Sequence, residues 1–225
     1  IKSLQLTRRS VYYVNMTLLS TKPRRGRPPK VSRENHDTKA ELIRSGLEQL
    51  TESGFAASGI DPILKRVGVP KGSFYHYFAS KEVFGLAVIE SYANYFANKL
   101  DTYLLDQTYS PLVRISHFVE NAKSGLERHH FTRGCLVGNL GQEVHLLPES
   151  FRPILIDIFL SWQQRISDCL KLAQASGDIS KSADCEQLAE CFWIGWEGAV
   201  SRTRLVGNAT PLDNYFQYFI ASLPR

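Results

Sequence analysis

Apolar residues recur along most of this chain with the period of an α-helix. The first apolar stripe is formed by Ala40, Ile43, Leu47 and Leu50. Asp37 or Thr38 can cap the start of this helix, and Gly54 can end it. Eight more helices are predicted in the same way, over residues 60–67, 71–78, 81 onward, 111–129, 134–146, 150–176, 185–206 and 212–222. No alternating run of useful length predicts a strand, so the predicted fold class is all-α with about nine helices.

Charge is distributed unevenly along the sequence. Nine of the 27 Lys and Arg residues lie within residues 1–33, which contain no Asp or Glu. The remainder holds 18 basic and 22 acidic side chains, a net charge of −4. A basic arm joined to a mildly acidic body is typical of proteins that bind a polyanion, and nucleic acid is favoured over a membrane surface.

Composition and motifs argue against several other classes of protein. No apolar run approaches the ~20 residues of a membrane span, and the N-terminal region lacks the cleavage site of a secretory signal. The four cysteines form no CxxC pair and no metal-like pairing with histidine, which predicts reduced thiols in a cytoplasmic protein without metal or cofactor. The sequence contains no HExxH motif, nucleophile elbow or phosphate-binding glycine loop, so we expect no enzymatic activity.

Residues 60–81 carry the strongest functional pattern. Two short predicted helices are joined by a turn containing glycine, as in a helix-turn-helix whose second helix enters the major groove of DNA. Phe74 and Phe78 are four residues apart and are expected to pack this second helix onto the domain. The positions left on its other surface are Lys71, Gly72, Ser73, Tyr75, His76 and Tyr77. Their polar groups can reach phosphates and base edges, although the run FYHYF could instead be an aromatic core plug.

The segment GFAASGIDPILKRVGVPKGSFYHYFASKEVFG resembles the DNA-binding segment of the TetR family of one-component regulators. The resemblance implies a homodimer that binds double-stranded operator DNA and is released by a small effector. It divides the chain into a basic disordered arm (1–35), a helix-turn-helix domain (36–81) and an effector-binding and dimerisation domain (82–225).

The family resemblance also implies roles for individual residues. Lys71, Gly72 and Ser73 would face bases, and the residues that would face phosphates are Tyr75, His76, Tyr77 and Lys81. One departure is Gly59, where many members have a threonine that contacts a phosphate. Ser58 could supply that contact instead, or the contact could be missing.

Two segments of the C-terminal domain combine glycines with polar and aromatic residues, RGCLVGNLGQE (133–143) and FWIGWEGAV (192–200). They could frame a small apolar pocket with a few polar anchors, or the glycines could serve close helix packing at a dimer interface. The candidate effector-binding residues are Cys135, Asn139, Glu143, Trp193, Trp196 and Glu197. For the dimer interface we expect the same tryptophan-rich helix together with the face formed by Phe159, Trp162, Ile166 and Leu170.

These two segments are similar to those of TetR family members that respond to acrylate or to electrophiles. The similarity implies a small unsaturated or electrophilic effector, with acrylate as one candidate. A carboxylate effector needs a cation, for which Arg133 or Arg202 is suitable. The alternative is a thiol-based redox or electrophile sensor that acts through modification of Cys135, which requires a lowered thiol pKa.

The run PRRGRPPK (23–30) has an extended, arginine-rich character that suits a narrow minor groove. Arg25-Gly26-Arg27-Pro28 matches the core of an AT-hook, and Arg24 adds a further cation. Its position ahead of the first helix predicts a second DNA-reading element, although a solvated tail is the alternative.

Since Met16 is the only methionine, we expect translation to begin there and residues 1–15 to lie outside the natural protein.

Overall fold

The computed structural model describes residues 37–225, and in this range it contains nine α-helices and no strand. The predicted DNA-binding region consists of α1 (Thr38–Ser53), α2 (Ile60–Val67) and α3 (Lys71–Tyr77). The C-terminal domain consists of α4 (Lys81–Leu104), α5 (Pro111–Arg128), α6 (Leu136–Gln142), a 3₁₀ turn (Val144–Leu146), α7 (Phe151–Ala175), α8 (Cys185–Val206) and α9 (Thr210–Ser222). The predicted all-α fold is confirmed.

Capping residues set the helix boundaries. The Asp37 carboxylate accepts hydrogen bonds from the backbone N–H groups of Lys39 and Ala40 and so begins α1. Asp184 begins α8 in the same way, with N–H···O distances of 3.0 Å to Glu186 and Gln187. At the other end of α8, Gly207 adopts a left-handed conformation (φ 70°), which favours glycine.

The helix predicted over 134–146 is shorter in the structure. Cys135 has non-helical backbone angles and caps α6, its Sγ accepting the Gly138 N–H at 3.4 Å. Helix α6 ends at Gln142, and a separate 3₁₀ turn follows it. Two glycines in seven residues lower the helix propensity of this segment, so tertiary contacts rather than periodicity decide its length.

Aromatic side chains from four helices form the centre of the C-terminal domain. The Trp162 and Trp193 rings lie 5.1 Å apart, and Phe96 lies 4.4 Å from Trp162. Ile166 and Leu170 are fully buried in the same core. Of the face predicted for dimerisation, only Phe159 is partly accessible, so the prediction that Trp162, Ile166 and Leu170 face a second subunit is wrong. Their periodicity reflects packing inside one subunit.

None of the helices in residues 37–225 is both long and apolar enough to cross a membrane.

Candidate DNA-binding surface and effector cavity

Helices α2 and α3 are joined by a tight turn at Gly68 and Val69. Gly68 is left-handed (φ 68°), and the Val69 N–H donates to the Leu64 carbonyl oxygen at 3.1 Å. This geometry ends α2 and allows a new helix, α3, to begin at Lys71. The turn therefore builds the two-helix arrangement that the sequence predicts.

One face of α3 is fixed in the core, and the other is open. Phe74 is fully buried, and its ring lies 5.1 Å from that of Phe84. Phe78 packs beside it, which confirms the anchoring role of both phenylalanines. The exposed positions are Lys71, Gly72, Tyr75, His76 and Tyr77, with Ser73 half-buried between them. The aromatic run is thus divided between a buried pair and an exposed polar surface.

Lys81 and Ser58 make contacts within the protein. The Lys81 ammonium donates to the Phe55 carbonyl oxygen at 2.7 Å and lies 4.3 Å from the centre of the Phe55 ring. Partial burial lowers the pKa of Lys81, and the nearby Glu143 carboxylate opposes that shift. The Ser58 hydroxyl is buried and donates to the Gly54 carbonyl oxygen, so it is not presented to a phosphate. The arm residues Arg24, Arg25 and Arg27 lie outside the described residues.

A cavity of about 410 Å³ lies between α1, α4, α5, α8 and the segment that precedes α6. Its apolar wall includes Tyr92, Phe96 and Trp196, and its floor includes Cys135. Four basic side chains also line it: Lys99, Arg128, His129 and Arg133. An aromatic cavity with a few convergent polar groups has the usual make-up of a small-molecule site.

Cys135, Tyr92 and Glu197 form a buried cluster beside this cavity. Burial raises the pKa of the Cys135 thiol well above its ordinary value, and the Glu197 carboxylate adds to the shift. Burial also raises the pKa of Glu197 to about 7, although a hydrogen bond from the thiol partly offsets this. A thiol in this environment stays protonated near neutral pH, which disfavours nucleophilic or oxidative chemistry at Cys135.

A junction of side-chain hydrogen bonds joins α6 to the end of α1. Glu143 Oε2 accepts from the backbone N–H groups of Phe55 and Ala56 at 3.0 and 2.9 Å. Asn139 Nδ2 donates to the Thr51 carbonyl oxygen at 3.0 Å, and its Oδ1 accepts from Arg204 Nη1 at 3.1 Å. The segment that begins at Cys135 beside the cavity therefore ends on the DNA-binding region.

The candidate effector-binding residues are thus divided among three environments. Cys135 and Trp196 line the cavity, and Trp193 lies behind it in the aromatic core. Glu197 contacts Cys135 but lines a separate, more open cleft that also contains Arg202. Asn139 and Glu143 belong to the junction with α1. Sequence reasoning missed Tyr92, Lys99 and Arg128, although positions 92, 96 and 99 share one face of α4, which is the available signal.

Arg133 lies at the cavity but is already paired. Its Nε donates to Glu52 Oε1 at 3.0 Å, and its Nη2 lies 3.6 Å from Glu48 Oε2. Both carboxylates belong to α1. Arg133 therefore connects the cavity wall to the DNA-binding region, as Asn139 and Glu143 do. Within residues 37–225, no group of three His, Cys, Asp or Glu side chains is placed to hold a metal ion.

Two family models match this chain. One, described as bacterial regulatory proteins of the tetR family, matches residues 42–88. The other, described as a tetracyclin repressor-like C-terminal domain, matches residues 111–219. Together they cover the helix-turn-helix region and the helices that surround the cavity.

Individual proteins match over most of their length. The chain is 50% identical to the transcriptional regulator AcuR of Cereibacter sphaeroides, over 88% of this chain and 90% of that protein. It is 30% identical to the transcriptional repressor DhaR of Mycobacterium sp. strain GP1, over 81% and 91% of the two chains. A crystal structure of the regulatory protein TetR from Rhodobacter sphaeroides has a TM-score of 0.81 at 49% identity, covering 83% of this chain and 98% of that one. The reduced form of Escherichia coli NemR has a TM-score of 0.75 at 28% identity, covering 82% and 95%.

Proposed function

Because this chain belongs to the TetR family of bacterial transcriptional regulators, we propose that it is a homodimeric repressor that a small effector releases from its operator. The single observation that carries the proposal is the open surface of α3, where lysine, tyrosine and histidine side chains surround the exposed Gly72. Lys71, Gly72 and Ser73 would read bases, while Tyr75, His76 and Tyr77 would bind phosphates. Lys81 would contribute only by exchanging its contact with Phe55 for a phosphate.

The proposal extends to the basic arm, whose structure lies outside the described residues. Arg24, Arg25 and Arg27 would enter the minor groove beside the half-site that α3 reads. We also propose that the protein acts in the cytoplasm, without a cofactor and without enzymatic activity, as a regulator of this type does.

For the effector we propose a small organic compound, with acrylate as the first candidate. The support is the similarity of residues 133–143 and 192–200 to acrylate-responsive members, together with a cavity lined by Tyr92, Trp196 and Cys135. Because the Cys135 pKa is raised rather than lowered, reversible binding is favoured over modification of the thiol.

Operator binding tests the proposal. A labelled DNA duplex carries the palindrome expected upstream of the neighbouring genes. Binding of the protein to this duplex is measured by fluorescence anisotropy over a range of salt concentrations. We expect Lys71→Ala to weaken binding by about tenfold, since one DNA contact contributes ~1–3 kcal/mol. The exposed Lys181 lies between α7 and α8, so Lys181→Ala is the matched control and should bind like wild type.

Three further results would each contradict part of the proposal. Equal affinity of the wild type and Lys71→Ala for the operator would show that α3 does not recognise DNA as proposed. If deletion of residues 22–30 leaves the slope of log K against log salt unchanged, the arm does not contact DNA. Release by acrylate that persists after dialysis, and that Cys135→Ser abolishes, would favour modification of the thiol over reversible binding.

A further inference from the structure

We propose that Lys99 and Arg128 form an anion subsite in the effector cavity, so that the effector is a carboxylic acid with an apolar body. The carboxylate would lie between these two side chains, and the body would lie among Tyr92, Phe96 and Trp196. This inference rests on the proposed function and deepens it, because it assigns the chemical class of the effector.

The charges that line the cavity are all of one sign. Lys99, Arg128 and Arg133 lie around it, and no Asp or Glu side chain is among the residues that line it. A partly enclosed site with basic walls concentrates a positive potential, since the low-dielectric surroundings screen it poorly. Such a cavity selects an anion over a neutral molecule of the same shape.

Two of these cations have no partner of their own. Arg133 is paired with Glu52 and Glu48, so its charge is largely compensated. Among the described residues, neither Lys99 nor Arg128 forms a salt bridge or a side-chain hydrogen bond. Lys99 is half-buried, and a charged group that is withdrawn from water without a partner is unusual. A bound carboxylate would supply the missing partner of Lys99, and the exposed Arg128 lies close enough to share it.

The environment of Lys99 disfavours its positive charge, and a bound anion would relieve this. Lys99 is half-buried, and this burial lowers its pKa. The positive charge of Arg128 lowers the pKa of Lys99 further, so the two groups are close enough to repel each other. A carboxylate between them would replace lost solvation and turn the repulsion into two attractions.

The apolar wall determines how a bound acid would be oriented in the cavity. Tyr92, Phe96 and Lys99 follow one face of α4, so the ammonium group stands at the end of an aromatic stripe. Trp196 and Cys135 also line the cavity. A volume of about 410 Å³ admits acids larger than acrylate, and aromatic acids are therefore included in the class.

Arg202, the other cation considered from the sequence, lies in a different environment. It is exposed and lines the open cleft with Glu197, not the cavity with Tyr92 and Trp196. It is therefore suited to serve as the control in a test of Lys99 and Arg128.

The test compares each acid with its neutral amide. Acrylate and acrylamide form a small pair, and cinnamate and cinnamamide form a large one. Binding to the full-length protein without DNA is measured by calorimetry for wild type, Lys99→Met, Arg128→Met and Arg202→Met. Methionine keeps the apolar stem and removes the charge.

We expect wild type to prefer at least one acid over its amide by about tenfold or more, as hydrogen bonds to charged groups allow. Lys99→Met and Arg128→Met should each lose most of that preference, and Arg202→Met should keep it. Lys99→Arg should restore the preference if charge is the cause. Because Arg128 is exposed, Arg128→Met should fold and so tests the subsite even if Lys99→Met fails to fold.

Two outcomes overturn the inference. In one, wild type binds no acid better than its amide; in the other, Arg202→Met loses the preference while Lys99→Met and Arg128→Met retain it. Both leave the repressor proposal intact if the same protein binds the operator. Conversely, a protein that binds acids as expected but no operator would contradict the repressor proposal and support the subsite.

Discussion

The Glu197 carboxyl group packs closely against α6 because position 138 is a glycine. A Cβ at Gly138 would overlap the Glu197 carboxylate, so no larger residue fits while this side chain keeps its place. Glu197 Oε1 is buried and has no hydrogen-bond partner among the described residues. Burial without full compensation raises the pKa of Glu197 to about 7, against an ordinary value of 4.5.

This shift predicts a loss of stability as the pH rises. The folded state holds the Glu197 proton up to a pH of about 7, while the unfolded state releases it near 4.5. The contribution of this group is therefore most favourable below pH 4.5, declines as the pH rises, and is lost above 7. Compared with Glu197→Gln, the wild type should lose about 3 kcal/mol more of its free energy of unfolding between pH 4.5 and 8.

Urea unfolding of both proteins at several pH values, at one protein concentration, measures this difference. Glu190→Gln removes an exposed carboxylate from the same helix and should behave like wild type. Parallel profiles for wild type and Glu197→Gln would show that Glu197 is not the group that titrates.

At the scale of elements, α6 is a short helix whose two ends have different neighbours. Its N-cap residue, Cys135, lines the cavity, and its C-cap residue, Glu143, contacts the α1–α2 loop. Gly54 takes part in this contact, because its left-handed backbone (φ 76°) and its missing Cβ leave room for the Glu143 carboxylate. A shift of α6 at the cavity would therefore act on the DNA-binding region directly.

Removal of the Glu143 carboxylate should destabilise this junction. Glu143→Ala would leave the Phe55 and Ala56 N–H groups without their acceptor, at a cost of about 1–3 kcal/mol in the free energy of unfolding. Glu149→Ala, an exposed change in the adjoining loop, should alter it by less than ~0.5 kcal/mol. Chemical denaturation gives both values, and equal stabilities of the two variants would contradict a structural role for Glu143.

The helices could be predicted from sequence because each has an apolar stripe and a recognisable cap or break. Helix α8, predicted over 185–206, has those bounds in the structure. The roles of Asn139 and Glu143 could not be predicted, because their partners lie 88 and 87–88 residues away in the sequence. The cavity was missed in part for the same reason, since its lining comes from four helices and the segment before α6, and periodicity reports on one helix at a time.

At the scale of the whole molecule, several large apolar side chains of the C-terminal domain lie on its surface. Ile194 on α8 is 66% exposed, and Leu160 on α7 and Tyr218 on α9 are also exposed. The buried tryptophans of α8 point to the core, so this outer face is the part of α8 that remains for a second subunit. TetR regulators act as dimers, and exposed apolar groups of this kind are typical of such interfaces.

We therefore expect Ile194→Asp to dissociate the homodimer. The side chain is mostly exposed in the single subunit, so the substitution should leave the subunit folded while placing a charge in the interface. Leu105→Asp is the matched control, because Leu105 has the same exposure of 66% at the end of α4. Sedimentation velocity should show monomers for Ile194→Asp and dimers for Leu105→Asp; dimers in both cases would remove this face from the interface.

The contacts at the end of α1 bear on how this regulator could be re-engineered. The Thr51 and Glu52 carbonyl oxygens accept hydrogen bonds from Asn139 and Arg204, which belong to α6 and α8. The helix end is thus completed by side chains more than 80 residues away. A chimera that joins this effector domain to the DNA-reading head of another regulator must therefore preserve these donors and a matching glycine at the recipient turn. Without them, the transplanted head would leave these carbonyl groups unpaired and would lose its hydrogen bonds to α6 and α8.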